Sequence, residues 1–349
     1  MPDHTTKTRR GPRTASIRDV ALRAGVSLST VSKALNGAPH VTPETRSRVL
    51  EAAAALGYRP NSIARSLKTK RTRTIGLVTD DLGDAFTMPM MRGVEIAASE
   101  AEVSVFLCNS YGERDGERVH LEALLDKQVD AIILMSGYRV RERAAPARAL
   151  AGLPVVYLYQ YTSEVQVPCI VPDDAGGGAL AAEHLLELGH RRVAMINGPQ
   201  HFQAARDRVA GFASALERAA VPWSGELLGG GEWSMVTGYR AAHRFLDRPE
   251  PPTAIFCASD VIALGAIAAA YERGLRVPED LSIVGFDDRL LASQAQPPLT
   301  TVALPLFEMG RVAGAIAVGA PPAGVARAGL HTVPCSLVRR STTAPPSRS

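Results

Sequence analysis

The stretch IRDVALRAGVSLSTVSKALNG, residues 17–37, holds two short apolar repeats separated by a glycine. Ile17, Val20, Ala21 and Ala24 recur at three- and four-residue spacing, which places them on one stripe of a helix. Ser16, followed three residues later by Asp19, suits the N-cap of that helix, and Gly25 suits its left-handed end. Ser27 can cap a second helix with Val31, Ala34 and Leu35 inside and Leu28, Ser29, Thr30, Ser32 and Lys33 outside; Asn36-Gly37 ends it. Two helices joined through a glycine turn, the second small, hydroxylated and cationic on its outer face, fit a helix-turn-helix. Its second helix has to enter a DNA major groove about 12 Å wide. Small residues near its N-terminus let the backbone approach phosphate, and the helix dipole favours the anion.

Outward from this motif, Thr42 with Pro43 at the first helical position opens a third helix carrying Val49, Ala52, Ala53 and Leu56, closed by Gly57. Residues 1–15 read as a disordered basic arm, 16–60 as the helical head, and 61–73 as a short hinge segment with a basic linker. Six or so residues of SIARSLK are too few to hold a helix alone, because nucleation is costly. Residues 1–73 carry 15 Lys and Arg against 4 Asp and Glu, a balance of +11; the remainder carries 24 against 31, a balance of −7. A basic head on an acidic body points to a polyanion as partner of the head alone.

From Ile75 onward, apolar strand-like runs (TIGLVT, VSVFLCN, DAIILM, PVVYLY, VAMING, TAIFCAS, LSIVGFD) alternate with helical runs. The strands do not alternate polar with apolar, as expected when helices cover both faces of a parallel sheet. The expected architecture is an all-α helix-turn-helix head followed by an α/β core, 74–341, of two doubly wound lobes. The last residues, 342–349, read as a tail without structure. No run of 18 apolar residues spans a membrane, and no apolar segment follows the basic N-terminus as a secretory signal would. The four cysteines form no CxxC and no Cys/His pair with zinc spacing, and read as reduced thiols of a cytoplasmic protein. Gly176–Gly178 and Gly229–Gly231 match no phosphate-loop pattern and read as turns or close packing. His184 and His190, six apart, form no HExxH, and no GxSxG occurs. No cofactor, metal or catalytic residue is therefore expected, and the chain does not read as an enzyme.

The run IRDVALRAGVSLSTVSKALNG…VTPETRSRVLEAAAALGYRPNSIARSLKT resembles the DNA-binding head of the lactose-repressor (LacI/GalR) family of bacterial transcription regulators. The likeness continues through AAEHLLELGHRRVAMINGP, RVAGF, PTAIFCASDVIALGAI and GLRVPEDLSIVGFDD, over roughly residues 16–341. It implies a homodimeric repressor of a pseudo-palindromic operator with a periplasmic-binding-protein-like core that takes a small effector, commonly a sugar. It also implies an N-lobe of about 74–172 and 302–333 and a C-lobe of about 173–301 and 334–341. By the same resemblance Leu28 and Ser29 read bases beside Lys33, and Thr30, Ser32 and Asn36 position the backbone. Asn61 to Leu67 match a hinge helix, with Asn61, Ser62, Ala64 and Arg65 at the DNA and Leu67 wedged into the minor groove.

Matching to the family places Arg208, Trp233, Ser259 and Asp287 on the effector pocket, with Phe86 and, more weakly, Tyr159 from the other lobe. The chemistry agrees: an Arg and an Asp can bracket adjacent hydroxyls while an indole covers an apolar ring face. Asp260, beside Ser259, offers a helix N-cap in place of a ligand contact, and the role of the pair Asp173-Asp174 is open. Three competing readings are a regulator governed by a partner protein, a transport-type sugar-binding protein, against which the helical head argues, and a Rossmann-type enzyme fused to a DNA-binding head, which lacks a phosphate fingerprint.

Overall fold

The computed structural model describes residues 15–58, 71–136, 140–141, 150, 152–162, 167–325 and 328–347. The chain divides into two compact units, residues 1–72 and 73–349. The first contains α1 (Ile17–Ala24), α2 (Leu28–Leu35) and α3 (Pro43–Ala55). Each begins where local chemistry supplies a partner for its free amides. Asp19 reaches back to accept from the Ser16 amide at 2.8 Å, Ser27 accepts from the Thr30 amide at 3.1 Å, and Thr42 from the Thr45 amide at 3.3 Å. α1 stops at Gly25, whose φ of +65° is free of strain only for a residue without a Cβ. Val20, Val31 and Val49 are fully buried where the three helices meet, ringed by Ala21, Ala24, Ala34, Ala52 and Ala53. Arg46 ties α3 to the end of α2 by donating to the carbonyls of Ala34 and Ala38, both at 2.8 Å.

The second unit begins with β1 (Thr74–Thr79), α4 (Thr87–Glu100), β2 (Ser104–Asn109), α5 (Arg114–Asp126), β3 (Ala131–Met135), the two-residue β4 (Val140–Arg141), β5 (Val155–Leu158), the two-residue β6 (Tyr161–Thr162) and β7 (Pro168–Pro172). The chain then enters a second lobe: α6 (Asp174–Glu187), β8 (Val193–Asn197), α7 (Gln203–Arg218), β9 (Leu228–Gly230), α8 (Met235–Leu246), β10 (Ala254–Cys257), α9 (Asp260–Glu272), β11 (Ser282–Asp287), α10 (Leu290–Gln294) and β12 (Thr300–Ala303). It returns to the first lobe as α11 (Leu306–Ala317) and β13 (Gly329–Val333), and ends in the second as β14 (Ser336–Val338). The two sheets have the orders β13-β7-β5-β3-β1-β2 and β14-β12-β11-β10-β8-β9, parallel throughout except where β14 runs against β12.

The unalternated strands have the expected cause. In the first lobe Ile75, Leu77, Ile133, Val156 and Leu158 pack with Met90 and Val94 of α4 and Met309 and Ala313 of α11. Their neighbours Val78, Ile132, Leu134 and Tyr157 pack on the other face with Leu121 and Leu124 of α5. The second lobe repeats the arrangement, with Met195, Phe256 and Phe286 beside Phe212 of α7, and Ile196, Ile255 and Ile283 beside α8 and α9. Paired helices touch backbone to backbone through glycine: a Cβ on Gly93 would overlap the Phe307 carbonyl, and one on Gly178 the Arg208 carbonyl. That last contact assigns part of the Gly176–Gly178 run to close packing.

Three expectations change. β2 is an edge strand with Phe106 and Leu107 exposed, so one of the apolar runs is not covered on both faces. β12 lies wholly in the second lobe's sheet, so the chain crosses back after Ala303, a little later than the expected 301/302 boundary. The tail is docked for its first residues. Thr342 is fully buried, donating its hydroxyl to the Ile283 carbonyl at 2.6 Å and accepting from the Thr300 amide at 2.9 Å. His190 lies 2.9 Å from the Ala344 carbonyl and His184 3.0 Å from the Thr343 hydroxyl, which places both histidines in structural roles.

Candidate functional site

Two surfaces carry the residues singled out from the sequence. On the head, α2 presents Leu28, Ser29, Lys33 and Asn36 to solvent, with Thr30 and Ser32 half-exposed. Leu28 keeps 44% of its surface accessible, an apolar side chain that its own core does not use. Asn36 donates its amide to the Ser32 carbonyl at 2.7 Å, so it fastens the end of the helix. Asn61, Ser62, Ala64, Arg65 and Leu67 lie outside the described residues.

The other surface is a cleft of the second unit with about 730 Å³ of empty space, counted to its open mouth. Its walls are Asp84, Phe86 and Tyr159 from the first lobe and Phe202, Ala204, Arg208, Trp233, Ser259, Asp287 and Arg289 from the second. All six residues matched to a pocket from the sequence thus face one space, although they span residues 86 to 287. Fold topology explains the convergence. Tyr159, Ser259 and Asp287 stand at the carboxyl ends of β5, β10 and β11, where open parallel sheets leave a crevice. Tyr159 (φ +60°) and Asp287 (φ +106°) both hold left-handed backbone that side chains disfavour, and such strain gathers at working sites.

Arg208 is the centre of the polar wall. It is buried, donates from Nε to Asp174 Oδ1 at 2.7 Å and from Nη1 to the Ala258 carbonyl at 2.5 Å, and has Asp287 Oδ1 at 3.5 Å. Its guanidinium carbon lies 3.7 Å from the Phe286 ring centroid and 5.6 Å from that of Trp233. Burial alone would lower its pKa, and the carboxylates of Asp174 and Asp287 more than reverse that, so it stays charged. No described residue accepts from its Nη2, which leaves that donor for whatever enters. Burial pushes the Asp287 carboxyl up to about 8, against the pull of Arg208 and with a further push from Asp260. Burial likewise raises the Tyr159 phenol, so it remains a neutral donor.

The acids beside these residues take definite places. Asp173 caps α6, accepting from the Gly176 amide at 2.8 Å, while Asp174 is the main ionic partner of Arg208. Ser259, not Asp260, caps α9, accepting from the Val261 amide at 3.2 Å. Asp260 is fully buried instead, taking the Thr301 hydroxyl at 2.5 Å and the Arg289 amide at 2.7 Å, and burial pushes its carboxyl up to about 6.

Four aromatic rings complete the cleft, two from each lobe. Phe86 meets Tyr159 edge-on at 5.8 Å, and Phe202 lies 6.2 Å from Trp233. Gly198 makes room for the indole, since a Cβ there would overlap it. Sequence reasoning missed Asp84, Phe202, Ala204 and Arg289. Arg289, two residues past Asp287 at the same strand end, had a usable signal; Phe202, in a loop before α7, had none. Among the described residues no group of three His, Cys, Asp or Glu could hold a metal ion, and no helix is long and apolar enough to cross a membrane.

Comparison with known proteins covers both surfaces. Residues 16–61 match the model of bacterial regulatory proteins, lacI family, and residues 182–343 that of a periplasmic-binding-protein-like domain. The transcriptional repressor CytR of Escherichia coli K12 is 34% identical over 337 residues, covering 97% of this chain and 98% of CytR. Of solved structures, the lac repressor dimer bound to operator and the anti-inducer ONPF superposes with a TM-score of 0.75 at 30% identity, covering 95% of this chain and all of that one. The complex of the regulator CelR with cellobiose superposes with a TM-score of 0.64 at 32% identity, over 94% and 99%.

Proposed function

The chain belongs to the lacI family of bacterial regulatory proteins, and on that premise we propose a cytoplasmic transcriptional repressor whose head holds operator DNA and whose core answers to a small ring-shaped effector. The head binds as one half of a homodimer on a pseudo-palindrome, as the similar lac repressor binds its operator as a dimer. Leu28 and Ser29 touch base edges, Lys33 and the hydroxyls of Thr30 and Ser32 meet phosphate, and Asn36 holds the helix end. Asn61, Ser62, Ala64, Arg65 and Leu67 form the hinge at the operator centre, with Leu67 as the minor-groove wedge. This is binding and release, with no chemistry on the effector.

In the cleft, Arg208 Nη2 and the Asp287 carboxyl take neighbouring hydroxyls of the effector, and Trp233 covers its apolar face. The observation that supports the reading is the convergence of Phe86 and Tyr159 from one lobe with Arg208, Trp233, Ser259 and Asp287 from the other on a single cleft. A sugar meets these requirements, as cellobiose is bound by CelR. The four rings favour a second reading, a nucleoside, because a base offers two flat faces to stack while its ribose keeps the diol.

The test is thermal unfolding of the purified protein against cellobiose, ribose, glucose, cytidine and adenosine. A ligand at 100 times its dissociation constant adds about 2.7 kcal/mol. A shift with ribose or cytidine separates the two readings, and no shift with any of them favours control by a partner protein. Operator affinity should also fall steeply with salt, through release of counterions from several phosphates; equal affinity for random DNA overturns the head's assignment.

A further inference from the structure

Arg208 is already committed to Asp174, Ala258 and Asp287, but the second guanidinium of the cleft is not. Arg289 is half-buried on the wall, and among the described residues its side chain makes no hydrogen bond and no ion pair. Its backbone is fixed, because its amide donates to Asp260 Oδ2 at 2.7 Å. Its guanidinium carbon lies 5.7 Å from the ring centroid of Phe86, which belongs to the opposite lobe. Two residues before Phe86, Asp84 lines the same cleft and accepts from the Phe86 amide at 3.1 Å. Burial raises the Asp84 carboxyl, Asp80 and Asp81 add to the rise, and the Arg289 charge opposes it. A cation of one lobe therefore faces a ring and a carboxylate of the other across the mouth of the cleft.

We propose that Arg289 is a positioning residue: with Asp84 and Phe86 it forms a clasp between the lobes that sets how readily the cleft shuts. The proposal rests on the reading of this cleft as the effector site and adds how its closing is controlled. Asp287 and Asp260 also face Arg289, but both belong to its own lobe, so their attraction does not change when the lobes part. Attraction to Asp84 and Phe86 does change, and that difference biases the open and closed states. The effector then closes a cleft that is already biased toward closure, and needs correspondingly less of its own binding energy to do so.

The experiment needs no effector, so its failure is distinct from failure of the effector reading. Trp223→Phe leaves Trp233 as the sole tryptophan; the Trp223 indole nitrogen has no hydrogen-bond partner to lose. Acrylamide quenching of Trp233 then reads the opening of the cleft. Arg289→Met and Asp84→Asn, the second keeping an oxygen for the Phe86 amide, should each raise quenching. The expected change is about two- to fivefold in the open-to-closed ratio, the range of a solvent-facing charge pair. The double variant should open the cleft no further than Arg289→Met alone, which already removes the attraction to both Asp84 and Phe86. Unchanged quenching in the single variants, or effects that add in full, overturns the clasp; additive effects are what two unrelated structural roles would give.

Discussion

The head and the cleft handle their polar groups in opposite ways. On α2 the outer side chains are exposed, bonded at most to their own helix, and held in place by caps a few residues away. At the centre of the cleft they are buried and bonded across long separations, Arg208 to Asp174 and Asp287 across 34 and 79 residues. A surface that reads a rigid duplex can leave its side chains in water and rely on backbone placement. A cavity that encloses a small molecule has to satisfy its charges before the molecule arrives, because an unpaired charge out of water is costly.

Damage should therefore spread differently from the two places. The largest effect is expected for Arg208→Ala. It breaks the buried Arg208–Asp174 ion pair and should destabilise the core by about 3–5 kcal/mol in urea unfolding. The head's three-helix core should be unaffected. A loss below about 1 kcal/mol would mean that the ion pair adds little to the cleft's frame. It follows that Arg208→Ala is a poor probe of effector binding, since stability and recognition fall together.

The next effect depends on pH and separates the regions again. Asp260 and Asp287 are raised by burial from an ordinary value near 3.8 to about 6 and about 8. The folded core keeps protons that the unfolded chain has already released, so unfolding releases protons across this window. Stability from these groups is complete below about 4 and falls as pH rises through 6 and 8. The core's unfolding temperature should drop from pH 5 to pH 8, and Asp287→Gly should flatten the upper part of that drop. His184 and His190, whose imidazoles burial lowers, act in the opposite sense over the lower part of this range, so the decisive outcome is the variant's: an Asp287→Gly core whose upper pH slope equals the wild type's contradicts the burial assigned to that carboxyl.

The smallest effect is a cap. Ser27→Ala removes the acceptor of the Thr30 amide and should cost the head about 1 kcal/mol. It should also loosen the first turn of α2, where Leu28 and Ser29 sit. Proteolysis of the head is the readout, and the core serves as the internal control.

The same contrast explains what could be read in advance. Helix ends in the head depend on residues one to four apart, so Ser27, Gly25 and Thr42-Pro43 announced them. Strands covered on both faces announced themselves as unbroken apolar runs, and the sheets followed. Edge strands β13 and β14 carry no such run, and residues 342–344, with their small polar side chains, look like any chain end. Their hydrogen bonds go to Ile283, Thr300 and His190, which are near only after folding. Family likeness supplied Arg208 and Asp287 as pocket residues; it did not show that Asp174 holds Arg208, a pairing of residues 34 apart in sequence. Asp84 escaped for the same reason, since it meets the cleft only when two lobes face one another, whereas Arg289, two residues past Asp287, carried a signal that sequence reasoning missed.

The central claim is that effector control acts through this cleft, and Asp287→Gly is the variant that tests it most directly. Glycine accepts the φ of +106° without strain and deletes the carboxyl with its methylene, while Asp174 still holds Arg208. The measurement is operator affinity of wild type and variant, titrated with the sugar or nucleoside that most stabilises the core. Both proteins should bind bare operator equally. The variant should need roughly three- to tenfold more ligand near pH 7 for the same change in affinity, as expected for a lost hydrogen bond to a carboxyl that burial keeps mostly protonated. An unchanged response in Asp287→Gly would place the effector elsewhere.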